Sequence, residues 1–134
     1  MPNTQATGVA YSDPEFTTCY ASQELGYSAA AQGTVTQATD KSTAVTLNKS
    51  AGRITMNNAA LAAGAIVSFT LNNSLLSPRD VLIVNVAGGN ATAGTYTAFV
   101  STITTGSAVI SLYNVSGGSL SEAVKLNLAI IHGQ

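Results

Sequence analysis

From Gly33 onward the chain alternates apolar and polar residues with a period of two, and the interruptions are Gly, Ser, Asn, Asp and Pro, the residues that tight turns require. This pattern predicts eight strands, near residues 33–38, 43–49, 51–57, 65–72, 80–86, 95–103, 107–115 and 122–132. The last is the cleanest. Val124, Leu126, Leu128 and Ile130 fall on one side, and Lys125, Asn127 and Ala129 on the other. In the fourth, Val67, Phe69 and Leu71 alternate with Ile66, Ser68 and Thr70; in the second and third, Val45, Leu47, Ile54 and Met56 alternate with Thr46, Arg53 and Thr55. "VLIVNV", Val81 to Val86, is apolar on both sides except for Asn85, which predicts a central strand or one covered by a second surface.

Between these runs, "NAALAAGA" (Asn58 to Ala65) is the one place where helix propensity rises, with Asn58 as cap and Gly64 as stop of a single turn. Asp40 and Lys41 read as turn residues, and "GGNATAG" (Gly88 to Gly94) and the Gly117-Gly118 pair as hairpin loops. Strands spaced roughly 8 to 12 residues apart, without a long helix, point to an all-β fold: a jelly-roll-like antiparallel β-sandwich over residues 33–134. An immunoglobulin-like sandwich is the alternative, without the tryptophan and paired cysteines of antibody domains.

Residues 1–32 break the pattern. They hold Asp13, Glu15, Glu24 and two of the three prolines, show no sustained alternation, and read as an extended N-terminal arm. Tyr11, Phe16, Tyr20 and Tyr27 recur along it, more aromatic surface than a solvated tail carries. Two readings follow: these side chains pack against their own domain, or they are interface residues that dock on a neighbouring subunit.

Composition narrows the function classes. The 134 residues (13.5 kDa) suffice for one domain with one core. Only 8% of residues are charged, with a net charge of -1, and five Lys and Arg give little drive to bind nucleic acid or an anionic membrane. No apolar run approaches the roughly 20 residues of a spanning helix. The opening "MPNTQATGVAYSDPEF" has no basic region followed by an apolar one, which predicts synthesis without a secretory signal, in the cytoplasm.

Candidate chemistry is sparse. Cys19, the sole cysteine, excludes an intrachain disulfide and a cysteine metal cluster. A nucleophilic triad would have to use His132, the sole histidine, whose parity places it with Ile130 if the last strand extends that far, as a structural or surface residue. One His and one Cys give no zinc spacing. Asp13 and Glu15 form the one carboxylate pair and read as solvated arm charges. The Gly88–Gly94 loop lacks a P-loop lysine. Glycosylation-type tripeptides at Asn48, Asn72, Asn90 and Asn114 follow from a composition rich in Asn, Ser and Thr. No catalytic, cofactor-binding or metal-binding residue is predicted. The stretch from Val81 to Ser121 contains no charged residue, and uncharged sheet faces favour self-association, so a homo-oligomer is expected.

"GTVTQATDKSTAVTLNKSAGRITMNNAALAAGAIVSFTLNNSLLSPRDVLIVNV", followed by "GTY" and then "AVISLYNVSGGSLSEAVKLNLAIIHG", resembles a small structural domain of tailed bacteriophages, found both as a free virion protein and at the ends of tail-fibre proteins. The resemblance runs from Gly33 to Gly133 and implies a β-sandwich without enzymatic activity. For a free-standing copy it implies a capsid decoration or cement protein on the outside of an HK97-type shell, assembled in the host cytoplasm, with the major capsid protein as partner. Closed symmetry at local three-fold sites favours a trimer over a dimer. A tail-fibre or receptor-binding tip recognising host glycans is the alternative. The 32-residue arm, where a fibre would have a long shaft, weighs toward the capsid, and the loops Gly88–Gly94 and Ser116–Ser121 offer a glycan neither aromatic nor carboxylate.

Overall fold

The computed structural model describes residues 15–133. It is a two-sheet β-sandwich with eight strands, one for each predicted: β1 Gln32–Thr36, β2 Val45–Thr46, β3 Ala51–Thr55, β4 Ile66–Asn72, β5 Val81–Gly88, β6 Tyr96–Thr104, β7 Ser107–Asn114 and β8 Lys125–Ile131. Sheet A has the order β1-β3-β8-β5 and sheet B the order β2-β4-β7-β6. The predicted inner faces form the core: Val45, Leu47, Ile54, Met56, Phe69, Leu71, Val124, Leu126, Leu128 and Ile130 are all buried. Ala108, Ile110 and Leu112 of β7 meet them from sheet B.

The connections explain the topology. Each step from β1 to β6 crosses from one sheet to the other and reverses direction, so strands two apart in sequence run the same way. Where such strands are neighbours they pair in parallel, as β1 does with β3 and β2 with β4. The sandwich is therefore mixed, not purely antiparallel. The β6–β7 turn, two residues Thr105-Gly106 between the paired Thr104 and Ser107, is the single hairpin among the described strands. It changes direction without changing sheet, which is why β7 and then β8 enter antiparallel to all their neighbours.

Other loop expectations are corrected by the same geometry. Gly88–Gly94 and the Gly117-Gly118 region link opposite sheets and are arches, not hairpins. The two arches touch: Gly89 has φ +82, and a Cβ there would sit 2.1 Å from the Ala123 carbonyl oxygen, so only glycine fits. The "NAALAAGA" stretch forms no helix. Leu61 is buried and bridges to Leu120, a turn closes from Ala65 N–H to Ala62 O at 3.1 Å, and Asn57, not Asn58, accepts from the Ala59 N–H at 2.8 Å. Burying Leu61 against the core outweighs the weak propensity of a single turn.

The strand "VLIVNV" lies at an edge of sheet A, not at its centre. Leu82 points inward, whereas Val81 and Ile83 are exposed on the outer face. β5 runs along β6 of the other sheet, and its register shifts between Val86 and Gly88, two devices that blunt an open edge.

Candidate functional site

Three polar clusters hold what chemistry the described residues offer. The first joins the chain's end to the turn before β5. Asp80 is buried; its carboxylate accepts the Ser77 N–H at 2.9 Å and the Gly133 N–H at 3.0 Å, and meets His132 Nδ1 at 3.0 Å. β8 ends at Ile131, so His132 lies just beyond the strand, half exposed, as a structural partner of Asp80. Burial pushes the Asp80 carboxyl up, but the hydrogen bonds from Ser77, Gly133 and His132 and the imidazole's charge outweigh it and hold the group below the ordinary 3.8. A carboxylate depressed in the fold stabilises it above pH 3.8, and that contribution is lost as pH falls through the lowered value. Asp80→Asn is therefore expected to flatten the acid limb of the stability profile; denaturant melts at neutral pH and at about pH 3 check it.

The second cluster closes the other end of the sandwich and corrects the reading of Lys41. Asp40 does serve a turn, accepting from the Ser42 N–H at 2.8 Å and from the Ser42 and Thr43 hydroxyls. Lys41, its neighbour, is only 3% exposed: its ammonium donates to the carbonyl of Asn57 and, at 2.6 Å, to that of Glu122. Burial lowers its pKa, and the Glu122 carboxylate partly restores it. Gln37, also buried, donates to Lys41 O at 2.9 Å and Thr43 O at 2.8 Å. Nothing in a period-two pattern distinguishes such a lysine from a solvated one.

Tyr96 faces the same cluster. Burial, with Glu122 beside its hydroxyl, pushes its phenol up to about 12, and neither Tyr96 Oη nor Glu122 Oε2 makes a well-formed hydrogen bond. The other Glu122 oxygen accepts the Ala91 N–H at 2.7 Å, tying the Gly88–Gly94 arch to the start of the last segment. The fold favours the neutral phenol, so this contribution is complete below pH 10.0 and lost as pH rises toward 12. In a phenolate absorbance titration the last tyrosine should ionise near 12, and Tyr96→Phe should remove that step.

The third cluster is a hydroxyl chain on the outer face of sheet B. Ser111 is buried there and bonds Ser68 at 2.8 Å and Ser101 at 2.6 Å, linking β4, β7 and β6. Around it lie Ile66, Thr97, Phe99, Val109 and Tyr113, without a charged side chain. A buried Asn114 donates to Leu61 O and Gly118 O, both at 2.9 Å, so that glycosylation-type tripeptide is a structural one. Among the described residues no group of three His, Cys, Asp or Glu gathers to hold a metal ion, and no helix is long and apolar enough to cross a membrane.

What remains is surface. Phe16 (64%), Tyr20 (92%) and Leu25 (87%) stand exposed in the arm, away from their own domain. Tyr27 is the exception, its hydroxyl donating to the Ile130 carbonyl; Lys49 Nζ holds the Ala30 carbonyl at 3.1 Å, next to a 3-10 turn at Ala29–Ala31. Tyr11 and Asp13 lie outside the described residues. The arm is thus pinned at Tyr27–Ala30 and presents Phe16 and Tyr20 outward. On sheet A, Arg53 is exposed as expected, its Nε donating to Asn127 Oδ1 at 2.9 Å on the floor of a shallow groove with Gln32, Thr34 and Ala51. Fold and surface together define a β-sandwich that offers faces and an arm. No protein-family model, curated protein or solved structure matches the chain.

Proposed function

We propose that the chain is a capsid decoration (cement) protein of a tailed bacteriophage, bound to the outside of an HK97-type shell and tying neighbouring major capsid proteins together. The observation that carries this reading is the arm: Phe16, Tyr20 and Leu25 are exposed beside a sandwich whose polar clusters hold its own loops and strands together. The phage-like wording from Gly33 to Gly133 supports it. In this reading the protein performs no chemistry. It acts as a closed homo-oligomer, a trimer at local three-fold sites, on the capsid exterior.

Cementing adds buried area across joints between subunits, and several arms on one oligomer turn weak contacts into an avid clamp. An aromatic side chain that buries about 150 Å2 contributes up to about 4 kcal/mol before ordering costs, at about 25 cal/mol per Å2. Deleting residues 1–28 removes these anchors and Tyr27 while sparing β1. The truncated protein is expected to stay folded and to leave most shell sites empty in a binding assay on bare capsids. Full occupancy without the arm would sink the clamp.

A further inference from the structure

We propose that in solution the arm of one copy lies across the outer face of sheet A of a second copy, its carboxylates on Arg53 and Lys125 and its apolar side chains on the aliphatic part of that face. The inference builds on the self-association proposed above, not on the capsid.

Charge is segregated along this chain. Residues 1–32 carry Asp13, Glu15 and Glu24 and no cation, whereas the remainder carries five cations and three carboxylates. Those three carboxylates all lie outside the strands, in connections: Asp40 in its turn, Asp80 beside Ser77, Gly133 and His132, and Glu122 with one oxygen on the Ala91 N–H. The outer face of sheet A therefore presents cations without acids. Register sets the pattern on that face. Thr34, Arg53, Asn127 and Asn85 form one row across the four strands, with Lys125 in the row beside it. On the other side of Arg53 come Ala51, Ala129 and Ile83, and beyond them the paired Val81 and Ile131.

An acidic, aromatic segment fits this surface better than it fits sheet B, whose outer face has apolar groups but no cation. Arg53 uses Nε on Asn127, and its terminal nitrogens make no hydrogen bond among the described residues, which leaves a fork for a carboxylate. Along the described part of the arm before Tyr27, Glu15, Phe16, Tyr20, Glu24 and Leu25 are all exposed and do not cover their own domain. Among the described residues the arm's ties to the domain begin at Tyr27, and residues 15–26 can span up to about 40 Å, more than the length of a strand in this sandwich. That reach carries it to a neighbour.

The test is the solution mass of full-length protein, by light scattering at low salt, for wild type and three variants. Wild type should be oligomeric. Arg53→Glu with Lys125→Glu should weaken self-association by about tenfold or more, and Glu15→Lys with Glu24→Lys should do the same. The chain carrying all four reversals should regain the oligomer, because an acidic face again meets a basic arm. All four side chains are exposed, so each variant should melt like wild type; if reversal disturbs the sheet, Arg53→Gln with Lys125→Gln gives the same readout with a smaller shift. A monomeric wild type, a face variant that keeps the full oligomer mass, or a folded four-reversal chain that stays monomeric would each overturn the exchange. A monomer that still decorates shells would overturn this inference and the self-association it rests on but leave the decoration reading standing, and an arm-exchanged oligomer that ignores shells would overturn the decoration reading alone.

Discussion

Leu126→Ala is expected to destabilise the domain by about 2–5 kcal/mol, a large part of the total for a fold of this size. Leu126 is fully buried on β8, the strand that joins β3 to β5 through two antiparallel ladders. Its side chain points into the core, where Ile54 and Val86 are its register partners and Ile110 and Leu112 belong to the same buried cluster from the other sheet. Truncation leaves a cavity that the paired backbones on either side keep from collapsing. In urea denaturation the midpoint should fall with the slope unchanged. A loss below about 1 kcal/mol would mean that this layer is loosely packed or able to close.

Gly52→Ala should act at the pinned root of the arm. Gly52 pairs with Gly33 across β3 and β1, and a Cβ there would stand 2.2 Å from the Gly33 carbonyl oxygen and 3.0 Å from Leu47. The obstruction is backbone, so β1 must shift or part from β3. Overpacking of this kind costs about 1–3 kcal/mol. The displaced strand leads directly from the Ala29–Ala31 turn, so Tyr27 should lose its hold on Ile130. Amide hydrogen exchange is expected to speed up over residues 27–36 while β7 and β8 stay protected. Unchanged protection in β1 would show that the pairing tolerates a methyl group.

The division between legible and illegible features follows from what a period of two encodes. Alternation fixes which side of a strand is apolar, so the buried set Val124, Leu126, Leu128 and Ile130 follows from the sequence, as do Phe69 and Leu71. It does not encode which sheet a strand joins. A short Gly- and Asn-rich loop serves a hairpin or an arch equally well, and five consecutive arches produce the parallel pairs that the pattern leaves open. "VLIVNV" misleads for a related reason: apolar residues on both sides can mean burial on both faces or an edge strand with an exposed aliphatic outer face, and Val81 and Ile83 show the latter.

Buried polar residues were the other hidden layer. Gln37, Lys41, Asn73 and Asn114 carry no sign of burial in the sequence, yet each is buried, its side chain bonded to backbone carbonyls of the arches. The arm was legible as an exception to the alternation, and its exposed Phe16 and Tyr20 give the docking reading its physical basis.

Electron microscopy of purified virions carrying this chain tests the central claim most directly. The account predicts density for the sandwich over the outside of the shell, at local symmetry axes, with arms reaching onto neighbouring subunits. Density for this chain on the tail alone, above a bare shell, would contradict it.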